Sequence, residues 1–319
     1  MTTIQIAGAT LASVLVTRMV ARVCIQLAPR LGFVAQPTPG KDHGRAVPLL
    51  GGVAMAAGYL LSRYWLIYLN APFSFTNTFF TLIVPMTVLP LAAGLLDDRL
   101  ALRPLPKLLL MMGVAAVSAW LLWGAAPARC ALWFAIFLVA MNSFNLLDNS
   151  DGACATVACC CMLVSYAAHR QFATLLIAGA LLGFLTLNWP PARIFMGDAG
   201  SLLLGVWCAK ILGPAHAWHL LPVLWVPLYD TFSVMLVRAW HGRPVWIGGQ
   251  DHCAHRLRRL GLSAAQVNLL FGGATLAAGV PSIWLSGWAG IVLTILLMLV
   301  AGAAELFVHR TTFSWRRAH

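Results

Sequence analysis

The sequence predicts an all-α polytopic membrane protein, folded as one integral-membrane domain over residues 1–319. Of the 319 residues, 61% are hydrophobic and only 9% are charged, whereas a soluble domain is about a quarter charged. The apolar residues form long unbroken runs rather than the alternating pattern of a membrane barrel. A backbone inside lipid must satisfy its hydrogen bonds internally, so these runs are expected to be helices.

Eleven apolar segments follow one another along the chain, and ten or eleven of them are expected to span the membrane as helices. A helix needs roughly 20 residues to cross the hydrocarbon. The sixth and eighth segments are short, and short segments beside polar residues often line a cavity instead of contacting lipid. The predicted segments are 4–24, 47–69, 79–96, 107–124, 131–147, 153–168, 172–188, 200–213, 217–237, 266–286 and 288–308.

The distribution of basic residues predicts the orientation of these segments. Eleven crossings put the termini on opposite sides, and all but four of the 21 Lys and Arg residues then fall on one side. The positive-inside rule makes that side cytoplasmic, with the N-terminus outside and the C-terminus inside. The four exceptions are Arg63, Arg129, Arg170 and Lys210.

The nine acidic residues all fall in or near the loops of the predicted cytoplasmic side. The positive-inside rule does not require this. A carboxylate at membrane depth is costly and indicates a functional site by default. The sequence therefore predicts one site, assembled from several loops on the cytoplasmic face. The acids are Asp42, Asp97, Asp98, Asp148, Asp151, Asp198, Asp230, Asp251 and Glu305.

The third segment ends in the string GLLDDRLALRPLPK, in which Asp97 and Asp98 are adjacent and Arg99, Arg103 and Lys107 follow. Adjacent carboxylates repel, and both stay ionised only beside a cation or basic groups. The pair fits metal binding or the orientation of a nucleophile. The alternative is a solvated loop with internal ion pairs.

The fifth segment runs into the string FNLLDNSDG, which continues a three-residue spacing of amides and carboxylates at Asn142, Asn145, Asp148 and Asp151. On a helix this spacing puts neighbouring side chains on a shared face. Hard oxygen donors of this kind suit Mg²⁺ or Mn²⁺ rather than zinc. Capping of a helix end explains one or two of these residues, but not the whole set.

The string NWPPARIFMGDAGS lies between the seventh and eighth segments, and its two prolines are expected to end the seventh. Gly197 and Gly200 permit close approach of the backbone to a ligand. Asp198 lies between them, just before an apolar helix whose N-terminal amides suit a phosphate, and Arg193 adds positive charge. The alternative is an ordinary inter-helix turn.

Two further strings carry basic residues. GGQDHCAHRLRRLG offers His252, His255 and Arg256 as diphosphate contacts, or else forms a basic loop attracted to anionic lipid. The string GKDHGRAVPLLGG contains Lys41 and His43. These two residues could equally well contact a phosphate or serve only as basic residues that set the membrane orientation. The eight cysteines include no CxxC pair and lie mostly in apolar runs, so neither zinc nor a disulfide framework is expected.

Taken together, these strings resemble the polyprenyl-phosphate N-acetylhexosamine-1-phosphate transferase family, part of glycosyltransferase family 4. The resemblance runs in order from about Lys41 to Leu257. It implies that a polyprenyl phosphate attacks the β-phosphorus of a UDP-activated amino sugar. UMP then leaves, and polyprenyl-diphospho-sugar remains in the membrane. It also implies Mg²⁺ or Mn²⁺ as the cofactor that bridges the diphosphate.

The resemblance further implies residue roles on the matching positions. The implied catalytic residues are Asp97, Asp98, Asp148 and Asp198. The implied metal ligands are Asp198, above all, with Asn145 and Asp148. The implied substrate contacts are Lys41, His43, Asn142, Asn145, Asp151, Arg193, His252, His255 and Arg256.

The sequence departs from the family pattern in three strings, at Gly40 to His43, at Asp148 to Gly152 and at Ala254, where a histidine is common. The acidic residues of the motifs are kept in spite of these departures, and the identity of the donor sugar is not determined by the sequence. The expected protein is a bacterial inner-membrane transferase that uses UDP-GlcNAc or a related UDP-N-acetylamino sugar and undecaprenyl phosphate. It would begin a cell-surface glycan such as the O-antigen of lipopolysaccharide. Membrane lipids are expected partners, nucleic acid is not, and the resemblance alone admits a homodimer.

Three alternatives stay open. A phospho-muramoyl-pentapeptide transferase is disfavoured because its run of consecutive histidines is absent. A Mg²⁺-dependent membrane prenyltransferase would show two DxxxD-type motifs on helices and leaves GDAGS unexplained. A secondary transporter predicts an internal repeat and charges near the bilayer midplane, whereas the charges here crowd one face.

Overall fold

The computed structural model describes residues 2–35, 46–68, 79–213, 217–244, 249 and 251–317. Lys41 and His43 lie outside the described residues. The α-helices are α1 (Thr3–Leu31), α2 (Gly51–Tyr68), α3 (Leu89–Leu100), α4 (Pro104–Trp123), α5 (Pro127–Leu147), α6 (Ala153–His169), α7 (Phe172–Asn188), α8 (Gly197–Ala209), α9 (Trp225–Trp240), α10 (Cys253–Arg259), α11 (Ala264–Ser282) and α12 (Gly287–Arg317).

Shorter elements complete the described fold. A π-helical segment, Phe79–Val88, leads into α3, and 3₁₀-helical segments Lys210–Leu212 and Trp218–Leu224 connect α8 to α9. Two short antiparallel strands, β1 (Val34–Ala35) and β2 (Val47–Pro48), pair between α1 and α2.

The predicted all-α membrane class is confirmed, and each predicted apolar segment falls on a helix. Within the described residues, five helices are long and apolar enough to cross a membrane, and α6 and α7 are shorter apolar helices. The number of crossings and their orientation stay predictions. Some observed helix bounds differ from the predicted ones. Helix α1, for example, continues to Leu31, because Gly32, with φ 74°, is the residue that caps it.

The outer surface of the bundle is apolar, as lipid contact requires. Large apolar side chains such as Leu15, Leu109, Leu269 and Leu299 are exposed on four different helices. Monomeric soluble proteins rarely expose apolar area on this scale. The hydrophobic faces are therefore directed outward to lipid as well as inward to the core.

Helix α8 lies at the centre of the bundle and packs against α2, α3, α5 and α6. All of its residues are buried except Asp198, which is partly exposed. Small residues let the backbones approach closely, since a Cβ added to Gly94 of α3 would lie 2.2 Å from Ala199 Cα. An added Cβ at Gly52 of α2 would lie 2.5 Å from Gly200 N. The predicted short eighth segment is thus an interior helix.

Backbone contacts join the loops at one end of the bundle. The Phe195 amide donates to Pro48 O at 2.8 Å, and Gly51 N donates to Phe195 O at 3.0 Å. The Asp151 carboxylate accepts from Ala192 N at 2.9 Å. Arg99 Nη1, from the segment after Asp98, donates to Leu31 O at 2.6 Å. The described loop residues 32–35 and 46–50 therefore meet the loops 97–106, 148–152 and 189–197 at one end, which we call the acidic end.

Candidate active site at the acidic end

Four helices each present one polar side chain at the acidic end. Asp97 lies in the last turn of α3, Lys107 in the first turn of α4, Asn145 in the last turn of α5 and Asp198 at the start of α8. Pro104 at the first position of α4 starts that helix, because its fixed φ suits a helix N-terminus. We call Asp97, Lys107, Asn145 and Asp198 the Asp198 cluster.

Lys107 links the two carboxylates of the Asp198 cluster. Its Nζ lies 2.7 Å from Asp198 Oδ1 and 2.9 Å from Asp97 Oδ2. The second Asp97 oxygen accepts from Leu102 N at 3.0 Å. The Lys107 ammonium therefore neutralises part of the charge of both Asp97 and Asp198, which lie about a hundred residues apart in the sequence.

Asn145 completes the cluster from α5. Its Nδ2 donates to Asp198 Oδ1 and, at 2.9 Å, to Ser201 Oγ one turn further along α8. Asp198 Oδ1 thus accepts from both Lys107 and Asn145. This convergence fixes the carboxylate of Asp198, on α8, against α4 and α5.

Asp98 has a different role from its neighbour Asp97. Its Oδ1 accepts from Asp198 N at 2.7 Å, and its Oδ2 accepts from Ala199 N at 3.0 Å. The expectation that these N-terminal amides of α8 hold a substrate phosphate is wrong, because the Asp98 carboxylate already occupies them. A carboxylate is favourable at a helix N-terminus for the same electrostatic reason as a phosphate. Gly197 permits this approach, since its φ is 69° and an added Cβ would lie 2.5 Å from Asp98 Oδ2.

The cluster is open on one side only. Asp97 is 2% exposed, whereas the side chains of Asp198 and Lys107 are 27% and 23% exposed. Buried carboxylates and their partners are costly to rearrange. Asp198, Lys107 and the half-buried Asn145 are therefore the members that can contact a ligand, while the buried Asp97 holds Lys107 in place.

No metal-binding group of three or more His, Cys, Asp or Glu side chains occurs among the described residues. The side chains around Asp198 nevertheless carry carboxylate, amide and hydroxyl oxygens, the hard oxygen set that Mg²⁺ prefers. Two carboxylates already share one cation there. This donor set fits a divalent cation if the ammonium moves aside, and the assignment of Asp198, Asn145 and Asp148 as ligands stays a prediction.

The remaining predicted residues of the 142–152 string lie beside the cluster. Asp148 ends α5, where its amide donates to Phe144 O at 3.1 Å. Asp151 joins loops, since its carboxylate accepts from Ala192 N and its carbonyl accepts from Asn268 Nδ2 at 2.7 Å. Asn142 is half-buried one turn before Asn145, and Arg193 is exposed on the loop before α8.

The predicted His and Arg residues belong to a second polar cluster. Asp230 of α9 accepts from Cys253 N at 2.6 Å through Oδ1, and its Oδ2 lies 2.8 Å from His252 Nδ1. Arg256 lies 2.7 Å from Glu305 of α12 and donates to Ser233 Oγ at 2.6 Å. We call Asp230, His252, Cys253, Arg256, Ser233 and Glu305 the Asp230 cluster. It fixes the short helix α10 against α9 and α12.

His255 of α10 is half-buried in the same region, with its ring centroid 6.5 Å from that of His252. Burial, with the nearby His252 and Arg259, lowers the pKa of His255 below its ordinary value. Its imidazole is therefore neutral at pH 7 and can donate or accept a hydrogen bond. The Asp230 and Asp198 clusters are connected through α5, which packs against both α8 and α9.

Sequence reasoning gave Lys107 no site role, although it lies at the centre of the Asp198 cluster. The usable signal is the PLPK string, because a helix that starts at Pro104 brings Lys107 into its first turn, near the preceding carboxylates. Glu305 and Ser201 were also unassigned. Nothing local marks them, because their partners come from distant helices.

An apolar groove of about 250 Å³ runs along α5 beside α9 and the Trp218–Leu224 segment. It is lined by side chains such as Ile136, Val139, Phe144 and Leu228. Phe144, the lining residue nearest the end of α5, directly precedes Asn145 in sequence. The groove and the Asp198 cluster are therefore built on the same helix, α5.

The chain is similar to known proteins over the region that contains the Asp198 cluster. A family model described as glycosyl transferase family 4 matches residues 80–212, which include every member of the Asp198 cluster. A protein of Streptomyces coelicolor described as a glycosyltransferase is 34% identical, over 92% of this chain and 77% of its own length.

Two further relatives carry more specific names. An undecaprenyl-phosphate N-acetylglucosaminyl 1-phosphate transferase of Bacillus subtilis is 27% identical, over 95% of this chain and 93% of its own length. A decaprenyl-phosphate N-acetylglucosaminephosphotransferase of Mycobacterium tuberculosis is 29% identical, over 76% of this chain and 73% of its own length.

Proposed function

Because this chain belongs to glycosyl transferase family 4 and is a membrane-embedded sugar-phosphate transferase, we propose that it transfers N-acetylglucosamine 1-phosphate to undecaprenyl phosphate. The donor is UDP-GlcNAc or a UDP derivative of a related N-acetylamino sugar, and UMP is released. The observation that carries this proposal is the convergence of Asp97, Lys107, Asn145 and Asp198 at the partly open acidic end.

The charge of the site supports an anionic donor held through a cation. Among the described residues, Lys107 pairs with two carboxylates, Asp97 and Asp198. Asp98 lies beside them on the first amides of α8, so carboxylates outnumber the ammonium. A diphosphate needs positive charge around its oxygens as the bond to the leaving phosphate breaks. Mg²⁺, or Mn²⁺, supplies that charge when bound, and Asp198 with Asn145 and Asp148 would hold it.

Each residue of the cluster then has a distinct part. Lys107, once released from Asp198, donates its ammonium hydrogens to a phosphate oxygen of the donor. Asp97 keeps the Lys107 side chain within reach from its buried position. Asp98 holds the first amides of α8 and thereby fixes the direction in which Asp198 points, so we assign it positioning rather than contact with the lipid phosphate.

The apolar groove along α5 supports a lipid acceptor. One end of the groove lies at Phe144, next to Asn145, and its lining is apolar. An isoprenoid chain in this groove would bring its phosphate to the Asp198 cluster while the chain stays out of water. The donor is water-soluble and the acceptor is a lipid, so the two meet at the boundary of the membrane.

The remaining predicted contacts belong to the donor side in this proposal. His255, neutral and half-buried, and the exposed Arg193 suit contact with the sugar or the nucleotide phosphate. Asp230 and His252 hold α10 in place. We further propose that the acidic end faces the cytoplasm of a bacterial inner membrane, where nucleotide sugars are made, and that the product begins a surface glycan such as O-antigen.

The test is a UMP-release assay with purified full-length protein, Mg²⁺ and undecaprenyl phosphate across a panel of UDP-sugars. We expect UMP from UDP-GlcNAc or another UDP-N-acetylamino sugar, and no UMP when the lipid phosphate is omitted. Arg129→Gln, which removes an exposed cation far from the cluster, is the matched control and should behave as the unmodified protein. Absence of UMP with every donor in the panel would refute the proposed reaction.

The same assay separates the alternatives. A phospho-muramoyl-pentapeptide transferase would release UMP only from the UDP-muramoyl-pentapeptide. A transporter would move a nucleotide sugar across the membrane of a liposome without releasing UMP. A prenyltransferase would release diphosphate from an isoprenyl diphosphate instead.

A further inference from the structure

A cavity that contains two basic side chains, Arg63 and Lys210, lies at the end of the bundle opposite the acidic end. It has a volume of about 170 Å³ and is lined by residues of α2, α6, α7, the π-helical segment and the end of α8. Arg63 is twelve residues beyond the start of α2, and Lys210 follows the last residue of α8. At 1.5 Å per residue, each lies about 18 Å from the acidic end along its own helix.

Two cations of this cavity are held by aromatic rings. The Arg63 guanidinium lies 5.9 Å from the Tyr59 ring centroid and 5.7 Å from that of Phe172. The Lys210 ammonium lies 4.7 Å from the Trp123 ring centroid. Aromatic faces attract a cation but carry no net charge. A partly buried cation is normally compensated by an anion as well.

No carboxylate lines this cavity among the described residues. The neighbouring segments 69–78 and 214–216 contain no Asp or Glu in the sequence either. The acids that the structure describes belong to the acidic end, to the Asp230 cluster or, for Asp251, to an ion pair with Arg238. Within the part of the chain that the structure describes, no carboxylate is thus available to compensate these two cations.

A buried ring nitrogen gives a second, independent indication. His169, the last residue of α6, lines the same cavity, and its Nε2 is buried with no hydrogen-bond partner. Buried polar atoms are nearly always satisfied by protein, water or ligand. An oxyanion between Arg63 and Lys210 would accept a hydrogen from this nitrogen.

The surroundings and the volume of the cavity indicate which kind of ligand it could bind. Tyr64, Trp65 and Tyr68, near the end of α2 beside Arg63, are all exposed. Exposed Tyr and Trp at helix ends are typical of the membrane–water interface, where phosphate head groups lie. The volume is below the roughly 300–1,000 Å³ of a drug-sized ligand site, so it suits a phosphate group and not a nucleotide.

We propose that Arg63, Lys210 and His169 form a binding site for one phosphate-class oxyanion at the membrane face opposite the candidate active site. The oxyanion is either the phosphodiester of an anionic lipid head group or free inorganic phosphate. The site bridges α2, α6 and the end of α8. A bound anion therefore stabilises the packing of these helices.

The test compares the unmodified protein with the double variant Arg63→Gln/Lys210→Gln, using Arg129→Gln as the matched control. One arm uses nanodiscs of phosphatidylcholine with and without phosphatidylglycerol, and the other titrates inorganic phosphate into detergent-solubilised protein. The thermal unfolding midpoint is read in both arms, and native mass spectrometry counts the retained phosphatidylglycerol. UMP release checks that each variant is folded, and the single variant Lys210→Gln replaces the double variant if the latter does not fold.

We expect the unmodified protein and Arg129→Gln to gain thermal stability with at least one probe. The charge-removed variant should bind that probe at least about tenfold more weakly, because charge-assisted contacts are lost. A response to phosphatidylglycerol alone identifies a lipid head group, and a response to phosphate alone identifies a free anion. Equal responses in the unmodified and charge-removed proteins, or no response of the unmodified protein to either probe, would overturn the proposal.

Discussion

The Asp198 cluster and the Asp230 cluster both pair a carboxylate with a basic side chain near the start of a helix, yet their members differ in exposure. The side chains of Asp198 and Lys107 are 27% and 23% exposed. Those of Asp230 and His252 are 1% and 6% exposed. The first pair can exchange its partner for a ligand, and the second cannot do so without opening the fold.

This difference separates residues that act on a substrate from residues that hold the site together. Asp198 and Lys107 face the opening and share partners, so loss of either should reduce turnover more than stability. Asp230 accepts from His252 and from a backbone amide in a dry interior, so its loss should reduce stability more than turnover. The following predictions test that separation, from the largest expected effect to the smallest.

Replacement of Asp198 by Asn should give the largest loss of activity. The change removes the exposed carboxylate charge while keeping the side-chain shape, so the protein should still fold. Cation stabilisation of a phosphoryl transfer is worth several kcal/mol, and UMP release should therefore fall by at least about 10³-fold. If the variant keeps activity within tenfold of the unmodified protein and has an unchanged unfolding midpoint, Asp198 has no essential role in the reaction.

Replacement of Lys107 by Met should be the next largest effect. Met keeps much of the length and apolar stem but removes the ammonium that links Asp97 and Asp198. Turnover should fall by roughly 10²-fold, and the Mg²⁺ concentration for half-maximal activity should also change, because a competing cation is gone. Both quantities come from one Mg²⁺ titration of UMP release. An unaltered titration curve would show that the Lys107 ammonium affects neither turnover nor the binding of Mg²⁺.

Replacement of Asp230 by Ala should mainly destabilise the protein. It leaves His252 and the Cys253 amide without their buried acceptor, which costs about 3 kcal/mol in the free energy of unfolding. UMP release per folded molecule should stay within about tenfold of the unmodified protein. Ser233→Ala, which removes one neutral acceptor of Arg256, is the matched control and should cost only about 1 kcal/mol. A thousandfold loss of turnover in folded Asp230→Ala would erase the distinction between the clusters.

Replacement of Gly94 by Ala should have the smallest effect, through packing alone. The added methyl carbon would lie 2.2 Å from Ala199 Cα, so α3 and α8 must move apart, at a cost of about 1–3 kcal/mol. Gly113 of α4 has nothing within 4 Å of its added Cβ, so Gly113→Ala is the control and should stay within about 1 kcal/mol of the unmodified protein. Equal unfolding midpoints for the two variants would contradict the close approach of α3 and α8.

Much of the fold could be predicted because lipid imposes a strong rule on sequence. A helix in hydrocarbon must be long and apolar, so each predicted segment coincides with an observed helix. The short helix α10 and the two-residue strands escaped prediction, since neither needs a long apolar run. The start of α8 at Gly197 also escaped it, because Asp98 caps that helix from a hundred residues away.

The carboxylates and the amide of the candidate site could be predicted from the sequence, but Lys107 and the arrangement of the site could not. The rarity of charge singled out Asp97, Asp98 and Asp198, and the spacing of amides and carboxylates singled out Asn145. The structure brings these four together. Asp98 and Asp97 are adjacent in sequence yet hold different elements, which no local pattern reveals. The link from Lys107 to Asp198 spans 91 residues, and the link from Arg256 to Glu305 spans 49. Tertiary contacts at such separations leave no signal in a single sequence.

The most direct test of the account is the fate of the phosphate when purified protein meets Mg²⁺, undecaprenyl phosphate and UDP-GlcNAc radiolabelled in its β-phosphate. The account predicts that the label enters the lipid fraction while UMP appears in water, in the unmodified protein and in Arg129→Gln but not in Asp198→Asn. Label that stays in the aqueous fraction, or enters lipid equally well in Asp198→Asn, would contradict it.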